Sequence, residues 1–555
     1  MATIQIENYL NSTFKSNNAL RNWLILLFFS LGMIGILHHE MWRDELQSWL
    51  IAKDSSSMID LFNNLRYEGH PALWHTCLYL ITRFTHNPLA MQIFHLLLAT
   101  GVIYVFIEFS PFTRFQKILF TFGYFPFYEY SIISRSYSLG ILLIFIFCGL
   151  YPTRNRSYLP LAAVLVLLAN THAYGLIIAL LLTMTLILDG FLDPDIKILF
   201  NTKKWNIVVS LAIVAFGILM AIFQIIPPDD ADFEGGVIQV DNGGALPLVN
   251  NYLIEDKGAD WRYFPFLNKR LLTTIVIIWR SYIPIPNFFQ YQFWNTNILL
   301  NGNSIARIFF ILIIIIILLY STALLIRKPI VLFLYLSGNC VFVFFSYTKY
   351  IGQLRHHGHL FFLFLACLWI SSCYIKSDFL IEKFNCSQKI LARLNLVERS
   401  KNVYLSGILL VHVIAGLFAF SMDLNYTFSG SKEVANYIEQ QGLKDYVLVG
   451  SPDLTAPPVA AFLNRKIYYF ESDIYGTFVV WKNRKLLTPI EVIDGVARLI
   501  KKNNKALLIL NYKLQVKRKD LNISFLFKSS QSIVRDETYY LYLIEKKPVN
   551  SDLAP

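Results

Sequence analysis

Two carboxylates, Asp44 and Glu45, follow closely on an apolar run that ends near residue 37. The stretch reads His38-His39-Glu40-Met41-Trp42-Arg43-Asp44-Glu45, and Tyr67-Glu68-Gly69-His70-Pro71 comes before the next apolar run. An ionisable side chain beside a membrane helix is costly unless it faces a wet cavity or a partner. A carboxylate in such a cavity can accept the proton of a hydroxyl within hydrogen-bond reach. Asp44 is the first candidate for that chemistry, with Glu45 and Glu68 as supporting carboxylates. Spacing alone leaves an alternative open: an interfacial loop with solvated carboxylates, Arg43 pairing one of them, and Trp42, Trp49 and Trp74 as interface anchors.

Cations occur at two other places that the helix pattern brings to the same side. Arg135 closes Glu129-Tyr130-Ser131-Ile132-Ile133-Ser134-Arg135, and Arg355 opens Arg355-His356-His357-Gly358-His359. A guanidinium fork binds phosphate bidentately. Arg135, Arg355, His356 and His357 are therefore read as phosphate-binding candidates, and Trp42, His70, His172 and His359 as cavity or substrate contacts. Arg135 snorkelling to the interface or pairing with Glu129, and His70 bonding at a helix start, remain alternatives. The histidines, with His38, His39 and Glu40, also raise a divalent metal site. Zinc wants three or four N, O or S ligands, and no spacing here is diagnostic, so metal stays open.

These groups need elements to position them, and composition says which. Of 555 residues, 55% are hydrophobic and 15% charged, against roughly 25% charged in soluble domains. The mean hydropathy is +0.47. Residues 158–188 and 308–326 contain no charge, and a crossing needs about 20 apolar residues. The chain reads as a polytopic α-helical membrane protein. Its net charge of +12 reflects Lys and Arg in cytoplasmic loops and is no footprint for nucleic acid. Cys77, Cys148, Cys340, Cys367, Cys373 and Cys386 show neither metal-ligand nor disulfide-framework spacing and read as free thiols. No small-residue cleavage site follows the first apolar run, so that run is expected to stay as an uncleaved helix.

Apolar runs at 22–38, 89–109, 115–128, 137–151, 157–170, 173–188, 206–226, 305–326, 329–347, 359–375 and 403–422 predict about eleven crossings. Two short runs, 71–86 and 271–286, lie along the interface or raise the count to thirteen with the same end points. The positive-inside rule puts Arg114, Lys117, Arg154, Arg156, Lys203, Lys204, Arg327, Lys328 and the basic 376–401 connector inside. The N-terminus is then cytoplasmic and the C-terminus external, in a bacterial inner or plasma membrane. The expected parts are a cytoplasmic segment 1–21, a transmembrane module 22–226 carrying the external loop 38–88, a long external loop 227–304 with interfacial helices, transmembrane helices over 305–422, and an external soluble α/β domain over 423–555. The domain shows short strands alternating with helices and no Gly-rich phosphate loop. The 227–304 loop opens on an acidic mouth, Asp229-Asp230-Ala231-Asp232-Phe233-Glu234, and holds Trp261, Trp279 and Trp294.

Trp42-Arg43-Asp44-Glu45, Ala52, His70-Pro71 and Ser134-Arg135-Ser136-Tyr137, in that order, resemble the C-type (GT-C) membrane glycosyltransferases, which include the protein O-mannosyltransferases and the aminoarabinose transferases. The motifs cover roughly residues 20–230, and the architecture resembles the superfamily over the whole chain. Glu68-Gly69-His70-Pro71 departs from the Pro-Pro common at the second motif, which leaves donor and acceptor open. The resemblance implies a polyprenyl-phosphate sugar donor, a lipid, glycan or protein acceptor, and transfer with inversion on the external face. Asp44 would be the general base, and nearby cations would stabilise the departing phosphate. Some members use a divalent metal and others need none. The competing class is a transporter or lipid flippase, which midplane charges and broken helices would favour; the chain shows no repeated halves.

Overall fold

The computed structural model describes residues 17–192, 202–231, 269–298, 304–383, 387–503 and 505–547. It is mostly helical, with an α/β unit at the C-terminal end. Among the described residues, eight helices are long and apolar enough to cross a membrane: Asn18–His38, Leu89–Phe109, Tyr137–Asn155, Ala173–Leu192, Lys204–Ile225, Pro329–Thr348, Leu354–Cys373 and Lys401–Asn425. Leu89–Phe109 has 21 residues, and at ~1.5 Å per residue that matches a hydrocarbon core of about 30 Å. Trp23, Leu26, Phe216, Leu219 and Phe223 lie exposed on these walls, as a lipid-facing surface requires.

The remaining apolar runs are shorter or broken. The uncharged 158–188 stretch divides at Asn170-Thr171-His172 into Leu159–Ala169 and Ala173–Leu192. The 71–86 and 271–286 runs hold helices Leu73–Thr82 and Lys269–Tyr282 of 10 and 14 residues. Run 115–128 differs from a plain crossing. A helix Arg114–Thr121, capped by Thr113 and Gln116, gives way at Gly123 to a π-turn, Tyr124–Glu129. Pro126 within it has no N–H to donate and crowds the preceding turn, so a regular helix cannot continue.

Contacts sort the bundle into two ends. At one, Arg21 meets Glu108, Arg154 meets Asp189, and Arg327 meets Asp378 and Glu398. At the other, His39 meets Asp423, the Ser134 N–H meets Glu45, His172 meets His359, and the Ala72 N–H meets Gln224. The α/β unit sits at this second end.

Its six strands, β1 (Val447–Ser451), β2 (Ile467–Tyr469), β3 (Ile474–Gly476), β4 (Lys505–Leu510), β5 (Leu521–Lys528) and β6 (Tyr540–Lys546), lie in the order β3-β2-β1-β4-β6-β5. β1 runs parallel to β2 and β4, and the other pairings are antiparallel. Side chains alternate across β4. Leu507 and Ile509 pack with Val434, Ile438 and Val459 of the Ser431–Gln440 and Pro457–Leu463 helices. Leu508 and Leu510 pack with Val492, Val496 and Ile500 of the Pro489–Asn503 helix. Both sheet faces are covered. A further apolar cluster joins Met41, Trp49, Leu50, Trp74 and Met91 to Ala461, so this unit rests on the helix Arg43–Asp54.

Candidate functional site

Asp44 is the second residue of the helix Arg43–Asp54. Glu45 starts that helix: it accepts the Trp42 N–H at 3.1 Å in a capping box. It also accepts the Ser134 N–H at 2.6 Å and contacts His39 Nε2 at 3.0 Å. His39 Nδ1 reaches Asp423 at 2.8 Å. Burial would lower the His39 pKa, but Asp423 and Glu45 outweigh it and raise it well above the ordinary value. The imidazolium thus ties the first loop to the last long helix. Glu45 is fully buried and faces into the protein, away from the opening that Asp44 shares.

Asp44 lies between two guanidiniums from distant parts of the chain. Arg355 Nη2 is 3.1 Å and Arg135 Nη1 3.7 Å from Asp44 Oδ2. Arg135 also donates to the Asp44 carbonyl. Glu129 does not pair with Arg135; it accepts the Tyr124 hydroxyl at 2.8 Å and the Trp294 indole N–H at 3.1 Å. Arg43 does not pair with Asp44 or Glu45; it binds Asp536, and its backbone N–H donates to Glu537 at 3.1 Å. Burial would raise the Asp44 pKa, and Arg135, then Arg355, more than offset this and lower it. The Asp44 side chain remains 29% exposed, so an ionised carboxylate and two cations meet at an opening.

Arg355 is held by rings. It lies 5.2 Å from the Trp42 and 5.4 Å from the Trp294 ring centroid, and Trp42 meets Trp294 edge-on at 4.7 Å. The Tyr130 hydroxyl donates to the Arg355 carbonyl. This closeness needs Gly358, where a Cβ would lie 2.6 Å from the Tyr130 oxygen and 2.7 Å from the Phe125 ring. The Arg355 Nε has no hydrogen-bond partner among the described residues.

The histidines do not converge on Asp44 as a ligand set. His356 accepts the Gln353 N–H at 2.7 Å and stacks on Tyr174 at 5.3 Å. His357 Nε2 reaches the Ile351 carbonyl at 2.9 Å. His359 and His172 join through their Nε2 atoms at 2.6 Å, and His172 Nδ1 meets Thr171 at 2.7 Å. No group of three or more His, Cys, Asp or Glu among the described residues is arranged to hold a metal ion.

Glu68 and His70 flank Gly69, whose φ of 64° suits glycine. Glu68 accepts the Gln47 amide at 2.9 Å. Burial pushes its pKa up to about 7 against the Gln47 bond, and Asp44 and Arg135 are near enough to contribute. Burial, then the Arg135 charge, brings His70 down to about 4, so it is neutral beside Asp44. Three groups were not singled out from sequence: Arg280, Asp423 and the Asp536-Glu537 pair. Arg280 is fully buried, lies within electrostatic reach of Glu129 and Arg355, and leaves Nε and Nη1 without a partner among the described residues. Its signal in the sequence is a lone charge in the apolar 271–286 run. Trp261 and residues 232–268 of the long loop lie outside the described residues, as do Cys386 and residues 1–16.

No protein-family model matches the chain, and no curated protein or solved structure matches it.

Proposed function

We propose that the protein is an integral-membrane glycosyltransferase that moves a sugar from a polyprenyl-phosphate donor to an acceptor hydroxyl on the external face, with inversion. One observation carries this reading: a partly open carboxylate, Asp44, shared by two guanidiniums, Arg135 and Arg355. The donor phosphate binds the two guanidiniums, and its lipid lies against the helices. Asp44 takes the acceptor proton as the acceptor oxygen bonds to the anomeric carbon. The bond from that carbon to the phosphate oxygen breaks, and the lipid phosphate leaves with the electron pair. Its growing charge is stabilised by the same arginines. Donor binding also prepares the base: a phosphate beside Arg135 and Arg355 offsets the field that lowers Asp44, so its proton affinity rises.

In this reading Glu45 positions the helix that carries Asp44. Glu68 and His70 line the acceptor side, with His356, His357, His172 and His359 in the wall behind Arg355. The chain crosses eleven times, the two short helices stay on the site side, and the N-terminus is cytoplasmic. Arg154, Arg327 and Lys376 at the far end support that orientation.

The test is transfer by purified protein from labelled polyprenyl-phosphate sugars. Asp44→Asn is expected to lower the rate by roughly 10²–10⁴, and Glu439→Gln, at an exposed surface pair, to leave it unchanged. Movement of the lipid without a new glycosidic bond would move the reading to a transporter or flippase.

A further inference from the structure

The 478–485 segment of the α/β unit lies as a strap against the helix that carries Asp44 and against Glu68. Gln47 holds it in register: its amide N–H donates to the Val479 carbonyl at 2.8 Å and its amide oxygen accepts the Val479 N–H at 2.9 Å. Gln47 lies three residues beyond Asp44 on the same helix, so the two share a face one turn apart. The same Gln47 amide donates to Glu68 at 2.9 Å. The strap also places Trp481, whose side chain hydrogen-bonds Glu68. The Arg484 guanidinium lies 4.8 Å from the Trp481 ring centroid, and Arg484 is itself fixed by buried Asp453 at 2.8 Å. Trp481 stays half-exposed. Beside it Lys482 pairs with Asp230 at 3.2 Å and lies 5.8 Å from the Tyr67 ring centroid, and the Tyr67 hydroxyl donates to Asp230.

We infer that Trp481, Glu68, Gln47 and Tyr67 form an acceptor subsite, and that the group it holds is a sugar ring. This rests on the reading of Asp44 as the reactive centre. An indole presents an amphipathic plate that packs against the C–H face of a pyranose. A carboxylate has about four lone-pair positions; Gln47 and Trp481 use two, and ring hydroxyls can take the others. The lining is too polar for an acyl chain. The strap comes from the α/β unit and the reactive carboxylate from the first loop, and Gln47, which holds the strap and Glu68, lies one helical turn from Asp44, so a ring held there is placed to offer a hydroxyl to Asp44.

The experiment titrates the full-length protein in lipid nanodiscs with the methyl pyranosides of glucose, galactose, mannose and N-acetylglucosamine. Binding is read by tryptophan fluorescence and by heat. At least one sugar is expected to give a saturable signal. Trp481→Ala and Glu68→Gln should weaken it about tenfold or more, Trp481→Phe should retain much of it, and Trp205→Phe on the exposed wall should not alter it. No saturable signal with any sugar, or a signal indifferent to both Trp481→Ala and Glu68→Gln in variants that melt like the parent, overturns the subsite. Sugar binding without transfer from the labelled donor keeps the subsite and overturns the role given to Asp44. Transfer to a sugar acceptor that ignores Trp481→Ala overturns the subsite and keeps that role.

Discussion

At the end of the bundle far from the site, Arg154 and Asp189 form a closed pair. Their side chains are 5% and 0% exposed and 2.8 Å apart. The Tyr151 hydroxyl donates to the same oxygen at 3.0 Å, and the Tyr151 and Tyr374 rings lie 4.6 and 4.9 Å from the guanidinium. One cation meets one anion under aromatic cover. At the site end, Arg135 and Arg355 share a single carboxylate that is 29% exposed. Arg43 adds no further imbalance, because Asp536 pairs with it. A buried pair that balances is a packing device whose net worth is small but whose disruption is costly. Two guanidiniums that share one carboxylate, partly open to the outside, leave donors for an added anion.

The largest effects should separate these two ends. Arg355→Ala and Arg135→Ala are expected to lower transfer by about 10²–10³, with the folded protein recovered. Arg154→Ala should do the reverse: it strands Asp189 and lowers stability by roughly 3–5 kcal/mol in a melting experiment, while transfer per folded molecule holds. Loss of transfer in a well-folded Arg154→Ala protein would break the contrast.

Next in size is the link between the α/β unit and the Asp44 helix. Arg43→Ala releases Asp536 and Glu537, and a small displacement of a reacting group costs up to ~10² in rate. The expected change falls on kcat more than on KM, and Arg43→Lys should restore part of it. A kcat that returns to the parent value once scaled to the folded fraction would point to plain unfolding of the interface.

Smaller again is a pH effect with two opposite slopes. Glu68 has its folded pKa raised to about 7. Its contribution to stability is therefore full below the ordinary carboxyl range and is lost as pH rises through about 7. His70 is lowered to about 4, so its contribution is present above its ordinary value near 6.5 and is lost as pH falls toward about 4. Melting temperature against pH should decline less steeply on the neutral side in Glu68→Gln and less steeply on the acid side in His70→Asn than in the parent. The smallest effect belongs to the exposed Lys376–Glu398 pair; breaking it should change stability by less than about 1 kcal/mol.

The long helices are legible because apolar length is a strong local signal. Asn17–His38, Leu89–Phe109 and Lys401–Asn425 follow runs of the sequence within a few residues. In the α/β unit, β1 and β4 are readable for the same reason, since both faces are covered and the strands are continuously apolar. β5 is not, because it is an edge strand with Asn522 and Phe525 exposed, and β3 has three residues. The break at 124–129 was hidden: Pro126 sits inside a run that hydropathy alone reads as one helix. At the site, Asp44, Arg135 and Arg355 were each visible as charges beside apolar runs, but their convergence is a tertiary fact. Glu45 and Asp44 look alike in sequence, and only the helix start that Glu45 caps turns one inward and leaves the other at the opening. Arg43 finds its partners 493 and 494 residues away, a separation that no local pattern reports.

The central claim is that Arg135 and Arg355 hold a lipid phosphate beside Asp44. A structure of the full-length protein in nanodiscs with a polyprenyl phosphate tests it most directly. The phosphate is expected between the two guanidiniums, within hydrogen-bond distance of both, with the lipid lying against the bundle. Phosphate bound at the Arg154 or Arg327 end instead, or excluded from the Asp44 opening at saturating lipid, would contradict it.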